Sequence, residues 1–232
     1  ELMDLPRTLF RSSINFMGCY AAIHALKMAD MICKTDSKAR VLIVCTELCT
    51  LHFQRDATID NVASSLLFGD GSAAALIVPD DFEGHGIRIE NFYSEIIPKG
   101  KKDMSWELSS TGFLMTLSGY VPDLIEEDFE SLVKHALAPS GLNAAEIQHW
   151  CIHPGGKKIL EVIGKKMKLA GEALQPSYQT LKDYGNMSSP TILFVLKKIM
   201  HQLHLQGKKA PENIFGAAFG PGLTMETFVA SY

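Results

Sequence analysis

Apolar residues recur along this chain at two spacings, one typical of helices and one typical of strands. Helices are predicted over about Cys19–Cys33 and Ser188–Gln206, and short apolar runs predict strands at 40–45, 72–78, 213–219 and 225–231. In both places the order is helix, strand, glycine turn and strand, and both turns have the pattern Phe-Gly-X-Gly. We therefore predict two copies of one unit, although glycine turns between strands are common enough for a chance similarity.

The second copy has a longer approach than the first. Its predicted lead-in comprises strands at 87–97 and 106–118, a helix at 122–137, a strand at 147–152 and a helix at 157–168. The first copy is preceded by only one possible strand, at 9–16. We therefore predict an α/β protein of two duplicated halves, 1–83 and 84–232. In this prediction the first half is incomplete and the chain is a fragment of a longer protein.

The two predicted helices differ in their start signals. The second has Ser188 and Ser189 as candidate N-terminal caps, Pro190 in its first turn and Gly207 as its stop. The first is apolar all round until Lys27, which predicts that its start is buried.

Composition and charge exclude several function classes. The chain has 232 residues, 47% of them apolar and 21% charged, with a formal net charge of −4, so nothing indicates nucleic-acid binding. No apolar run has membrane-spanning length and the first ten residues do not resemble a signal peptide, so we expect a cytoplasmic protein. The five cysteines are expected to be reduced thiols. Cys45 and Cys49 have no second pair at zinc-site spacing, so no metal is expected.

Three motifs place reactive side chains beside small residues: NFMGCYAA around Cys19, CIHPGG around His153 and YGNMSS around Asn186. A thiol, an imidazole and a carboxamide suit chemistry that carries an acyl group on sulfur while an oxyanion or enolate is stabilised nearby. His153 also ends a predicted buried strand, where α/β folds place functional side chains. Taken singly, Cys19 could instead be a core cysteine and Asn186 a cap or turn residue.

The repeat favours the functional interpretation. Cys19 and Asn186 stand at the starts of equivalent helices, and pseudo-twofold packing would bring those starts together. A helix N-terminus and an imidazolium at His153 are expected to lower the pKa of the Cys19 thiol.

Five motifs together resemble the type III polyketide synthases, the group that contains chalcone and stilbene synthases: GCYAA, LLFGDGSAAALIV, HPGG, YGNMSS and FGPGLTMET. The resemblance runs through nearly the whole chain in the family's order. It implies a thiolase-like fold of two duplicated halves with a five-layered αβαβα core. It also implies a homodimer that uses coenzyme A thioesters as substrates and needs no cofactor.

The resemblance assigns roles to four residues. Cys19 would be the nucleophile that holds an acyl starter as a thioester. His153 and Asn186 would stabilise the enolate that forms when malonyl-CoA loses carbon dioxide, and Phe68 would orient the malonyl group at the mouth of the site. The implied reaction is an iterative decarboxylative condensation followed by cyclisation.

The same resemblance places five residues in the substrate pocket: Met115, Cys49, His52, Ser188 and Gly222. Met115 stands where chalcone synthases have a bulky phenylalanine, and Cys49 and His52 stand where they have threonines. These differences predict against a chalcone-type product and favour an aliphatic starter. The family's upstream region, with its basic coenzyme A contacts, has no counterpart in this chain.

Three alternatives stay open. A ketoacyl synthase III-like enzyme would perform a single condensation with the same three residues. A papain-like hydrolase has the same Cys-His-Asn order but would cleave amides. A non-catalytic paralogue would only dimerise.

Overall fold

The computed structural model describes residues 5–52, 58–82, 84, 86–110, 112–207 and 211–232. The helices within these residues are α1 (Ala21–Thr35), α2 (Ile59–Leu67), α3 (Val121–Leu137), α4 (Lys157–Lys166), α5 (Gln175–Tyr184) and α6 (Thr191–Gln206). The strands are β1 (Val41–Glu47), β2 (Gly71–Ile77), β3 (Arg88–Ile96), β4 (Met104–Ser109), β5 (Gly112–Leu117), β6 (His149–Ile152), β7 (Asn213–Gly220) and β8 (Thr224–Ser231).

The strands form three sheets. The largest has the order β3-β8-β7-β6, in which β6 runs parallel to β7 and the other neighbours are antiparallel. In the first half, β1 pairs with β2 antiparallel. The third sheet is the hairpin β4–β5. The helix and the two strands of the predicted repeat are thus present: α1, β1 and β2 correspond to α6, β7 and β8. The predicted glycine turn joins β7 to β8 only, because α2 lies between β1 and β2.

Helices separate and cover the two larger sheets. α1 and α6 lie between the β1–β2 sheet and the four-stranded sheet, where their apolar faces pack with Ile43, Cys151 and Phe228. α3, α4 and α5 cover the other face of the four-stranded sheet around Phe129 and Phe215. The described residues therefore form a β-α-β-α stack, four of the five layers expected for a thiolase-like fold.

The predicted elements are largely present, with three differences. The expected strand at 106–118 is the hairpin β4–β5, because turn-forming residues around Ser110 reverse the chain. The possible strand at 9–16 is irregular and mostly exposed, and Phe10 is 82% exposed. Helices α2 and α5 were not predicted.

The start of α6 also differs from the prediction. Neither Ser188 nor Ser189 caps the helix with its side chain. Ser188 has a φ of 59° and its carbonyl accepts from the N–H of Thr191, while the Ser189 hydroxyl donates to Glu47. The predicted stop at Gly207 is confirmed, with a left-handed φ of 59°.

Candidate active site

A cavity of about 280 Å³ lies where the two halves meet. The first half contributes Cys19, Phe68, Cys49 and His52 to its lining, and the second half contributes His153, Asn186, Met115 and Ser188. The structure thus brings together residues that are far apart in the sequence, including the segments that precede α1 and α6.

Cys19 lies in a 3₁₀ turn, Gly18–Tyr20, immediately before α1. The turn is fitted closely against the β7–β8 turn of the second half, since a Cβ at Gly18 would lie 2.6 Å from the Pro221 Cδ atom. Gly18 also has a φ of +63°, which disfavours a side chain. Glycine here lets the turn that carries Cys19 approach the other half.

His153 follows β6 directly, and its N–H donates to the Ala217 carbonyl at 2.8 Å, which extends the pairing of β6 with β7. The side chain is 1% exposed, and neither ring nitrogen has a hydrogen-bond partner within the described residues. Such unsatisfied buried atoms are uncommon and frequently mark functional groups. A neutral imidazole here can donate from one nitrogen and accept at the other.

Asn186 is held by backbone and side-chain contacts to both halves. It pairs with Phe68 in a short parallel bridge, its N–H donates to the Leu67 carbonyl at 2.9 Å and its carbonyl accepts from Gly69. Its Oδ1 atom accepts from the Ser188 N–H at 2.9 Å, which leaves Nδ2 as the donor on the side of Gly155. One bridge therefore positions both Asn186 and Phe68.

Burial dominates the electrostatics of the site. Protein atoms surround Cys19 closely and raise the pKa of its thiol to about 11, even though hydrogen bonds from Ser188 and Asn186 lower it. Burial lowers the pKa of His153 to about 3. The expected thiolate–imidazolium pair is therefore wrong for this resting site, because desolvation outweighs the hydrogen bonds that lower the pKa of the thiol. At neutral pH both groups are uncharged.

Glu47 is a site residue that the sequence analysis missed. It ends β1, lines the cavity and accepts a hydrogen bond from the Ser189 hydroxyl at 2.6 Å. Its negative charge contributes to the raised pKa values of Cys19, Cys45 and Cys49. The sequence did contain a signal for Glu47. It is an acidic residue at the end of an apolar strand, two residues before the predicted pocket residue Cys49.

The rest of the cavity has two unlike walls. Met115 from β5 lies with Met104, Trp106 and Leu117 on an apolar wall, and the Trp106 ring packs edge-on against His52 at 5.3 Å. The wall formed by α2 is polar, with Asn61, Ser64 and Ser65 on one helix face. Sequence reasoning missed this wall together with α2.

Gly222 was predicted to line the pocket, but it is not among the residues that line the cavity. Its neighbours Gly220 and Pro221 line the cavity instead. Gly222 has a φ of +78° and donates its N–H to the Met104 carbonyl at 2.9 Å, so it turns the chain from β7 into β8.

Two kinds of site are absent from the residues that the structure describes. None of their helices combines the length and the apolar character needed to span a membrane. No group of three or more His, Cys, Asp or Glu side chains in the same part of the chain could hold a metal ion.

Two duplicated α/β halves that bring a cysteine, a histidine and an asparagine to one cavity define a thiolase-like protein. The model of the chalcone and stilbene synthase C-terminal domain matches residues 88–231, and the model of the N-terminal domain matches residues 1–81. The chain therefore belongs to the chalcone and stilbene synthase family, and it is not a papain-like hydrolase.

Individual relatives agree with this assignment. Type III polyketide synthases C and A of Arabidopsis thaliana are 33% and 34% identical over 98% and 97% of this chain. Among solved structures, PKS-I of the brown alga Ectocarpus siliculosus superposes with a TM-score of 0.87 at 26% identity over 97% of this chain and 61% of its own. The C-terminal type III domain of Steely1, a type I/III hybrid from Dictyostelium, gives 0.89 at 29% identity over 99% of this chain and 64% of its own.

This chain is shorter than those relatives. It spans 60% of the length of Arabidopsis type III polyketide synthase C and 58% of that of synthase A.

Proposed function

We propose that the protein containing this chain is a type III polyketide synthase. In the proposed reaction an acyl group from coenzyme A is held on Cys19 as a thioester and lengthened by decarboxylative condensation with malonyl-CoA. The observation that carries the proposal is the shared cavity, which is lined by a thiol from one half and by an imidazole and a carboxamide from the other. Membership of the chalcone and stilbene synthase family supports it.

The loading step begins with a proton transfer from Cys19 to His153. A ring nitrogen of His153, which has no hydrogen-bond partner within the described residues, is placed to accept the Cys19 proton as sulfur attacks the thioester carbonyl of the acyl-CoA. The bond from the carbonyl carbon to the coenzyme A sulfur breaks, and His153 returns the proton to that sulfur, so that coenzyme A leaves as a thiol. The acyl group then remains on Cys19, and His153 is neutral again.

The extension step uses the same cavity. Malonyl-CoA loses carbon dioxide, and its thioester oxygen becomes an enolate that accepts hydrogen bonds from His153 and from Nδ2 of Asn186. The Ser188 N–H on Oδ1 supports this role, because it orients the amide nitrogen as the donor. The enolate carbon attacks the Cys19 thioester, and the Cys19 sulfur leaves. Phe68, which is paired with Asn186, is proposed to orient the malonyl group.

The apolar wall around Met115 favours an aliphatic starter, with Cys49 and His52 on the pocket surface beside it. We propose that the whole protein is a cytoplasmic homodimer that uses coenzyme A thioesters without a further cofactor. Starter length and ring closure depend on this pocket in the proposal.

Mass spectrometry of the full-length protein incubated with malonyl-CoA and a panel of acyl-CoA starters tests the function. Products extended by two or more two-carbon units are expected. A single extension would favour the ketoacyl synthase III-like alternative. Absence of any extended product from every starter would contradict the proposal.

A further inference from the structure

Glu226 is a carboxylate buried in the middle of β8, with 2% of its surface exposed. It lies opposite Ser94 of β3 and Ala218 of β7. Side chains alternate along a strand, so Glu226 shares a face with Phe228 and Ala230, which pack toward α1 and α6. A charge buried in this way requires partners, since an unpaired one is strongly disfavoured.

Both oxygens of Glu226 have partners, and one partner comes from the nucleophile helix. His24 of α1 places Nε2 3.1 Å from Oε1, and the Ser94 hydroxyl donates to Oε2 at 2.5 Å. The Lys27 ammonium, one turn after His24 on α1, donates to the same Ser94 hydroxyl at 3.2 Å. The carboxylate thus joins α1 of the first half to β3 and β8 of the second.

A line of contacts leads from this cluster to the cavity. The His24 ring packs on the Tyr20 ring with centroids 5.3 Å apart, and Tyr20 directly follows Cys19. Tyr20 fills the space beside Gly220, where an added Cβ would lie 2.4 Å from the tyrosine ring. Gly220 lines the cavity. The contacts therefore run from Glu226 through His24 and Tyr20 to the wall of the site.

We propose that Glu226 is a positioning residue for Cys19, which holds α1 in register against β8 through His24 and through Ser94 with Lys27. The carboxylate touches no substrate in this proposal. It fixes the helix that begins just after Cys19 to the half that carries His153 and Asn186. Without it, α1 rotates or slides, and the thiol loses alignment with the two donors. This inference rests on the proposed function for its catalytic consequence.

Glu226→Gln in the full-length protein tests the proposal. We expect kcat for condensation to fall by about tenfold or more while KM changes by less than about twofold, because misalignment of a catalytic group by an ångström slows chemistry strongly. Alkylation of Cys19 by iodoacetamide, followed on its own peptide by mass spectrometry, should slow by about threefold or more. A shifted thiol would lose the hydrogen bonds from Ser188 and Asn186 that favour its ionisation.

Glu212→Gln is the matched control. Glu212 is also buried, at 8% exposed, and pairs with His149 Nε2 at 3.1 Å, but it precedes β7 at the end opposite Gly220. Both variants are expected to lower the melting temperature, whereas only Glu226→Gln should change kcat and Cys19 alkylation. A Glu226→Gln enzyme within about twofold of wild type on both readouts, or a Glu212→Gln enzyme with the same losses, would overturn the proposal.

His24 provides a second test that does not require altering the buried carboxylate. Its side chain is 29% exposed, so His24→Ala is expected to fold. His24→Ala should lower both kcat and the rate of Cys19 alkylation, as Glu226→Gln does. His24→Gln keeps a donor for Glu226 and should return both quantities toward wild type. Wild-type values in His24→Ala would contradict the proposal. If the wild-type protein makes no extended product, the proposed function fails, while the alkylation comparison still decides the role of Glu226.

Discussion

The two halves present the same arrangement of one helix and two paired strands in unlike surroundings, with α2 inserted between the strands of the first half. In the second half β7 and β8 are covered on both faces, and Phe215 and Val229 are completely buried. In the first half β1 and β2 are covered on one face by α1 and α6, and Leu42 and Val44 on the other face are 46% and 62% exposed. The strands are similarly apolar, so layer contacts rather than strand composition decide burial.

The halves also divide the proposed chemistry. The first half supplies the nucleophile Cys19 on a turn that is pressed against the second half. The second half supplies His153 from the end of a well-packed sheet and Asn186 from the connection between α5 and α6. A site built in this way depends on the interface between the halves.

The largest expected effect comes from Cys19→Ala in the full-length protein. Condensation should be abolished, because no other thiol is proposed to carry the acyl group. Cys33→Ala and Cys151→Ala are the controls, since neither cysteine lines the cavity. Product formation from malonyl-CoA is the measurement. Activity retained in Cys19→Ala, or abolished in a correctly folded control, would contradict the assignment.

Phe215→Ala and Leu42→Ala test the difference in packing. Phe215 is completely buried and packs against Phe129 and Trp150, so its loss should lower the free energy of unfolding by about 3–5 kcal/mol. Leu42→Ala in the 232-residue chain should cost about 0.5 kcal/mol or less. Denaturant unfolding measures both. Equal costs would show that the outer face of β1 is as well packed as the second-half core.

Asn186→Ala tests the donor role in the second half. Loss of one such donor typically costs about 100- to 1,000-fold in rate, or about 3–4 kcal/mol. Malonyl-CoA decarboxylation by the full-length protein should slow to that extent. A change of less than about tenfold would mean that Asn186 serves only to join Phe68 to the start of α6.

The pH dependence of Cys19 alkylation tests the resting protonation state. Burial raises the pKa of the thiol to about 11, so at lower pH the thiolate fraction grows about tenfold for each unit by which the pH rises. Alkylation should therefore accelerate about 100-fold from pH 7 to pH 9. His153, with a pKa lowered to about 3, should add no inflection near its ordinary value. A rate that is already constant above pH 7 would indicate a thiolate at rest.

Sequence patterns predicted the repeat, the Phe-Gly-X-Gly turn between β7 and β8 and most strands, because buried apolar runs and glycine turns are local signals. The predicted turn at Phe68–Gly71 is wrong, because this segment joins α2 to β2 instead of linking two strands. Helix α2 was missed because polar side chains of this helix face inward and apolar side chains face outward, the reverse of the usual amphipathic pattern. Its polar residues line the cavity while Val62 and Leu66 are 47% and 84% exposed, so apolar periodicity does not mark the inner face. α5 was missed for a similar reason, since its buried positions are Pro176, Ser177 and Thr180.

The site was predictable in its residues but not in its electrostatics. Cys19, His153 and Asn186 carry recognisable motifs, and the structure places all three at one cavity. Their protonation depends on how completely the folded halves exclude water, which no local pattern records. Glu47 and Glu226 were missed because their partners, Ser189 and His24, are 142 and 202 residues away along the chain.

Met115→Phe should have the smallest effect. A phenyl ring on the apolar wall narrows the cavity and should disfavour long acyl starters. The preference should change step by step with starter length, because one methylene in an apolar pocket changes the discrimination between substrates by about 1–3 kcal/mol. The ratio of products across a starter series in the full-length protein measures this. An unchanged chain-length profile would remove the support for an aliphatic starter.

The central claim is that a first-half thiol and second-half donors form one condensing site. Incubation of the full-length protein with an acyl-CoA starter alone, followed by proteolysis and peptide mass spectrometry, tests it most directly. The acyl group is predicted on the peptide that contains Cys19, and addition of malonyl-CoA should then convert it to extended product. An acyl group found on Cys45 or Cys49, or one that malonyl-CoA fails to extend, would contradict the claim.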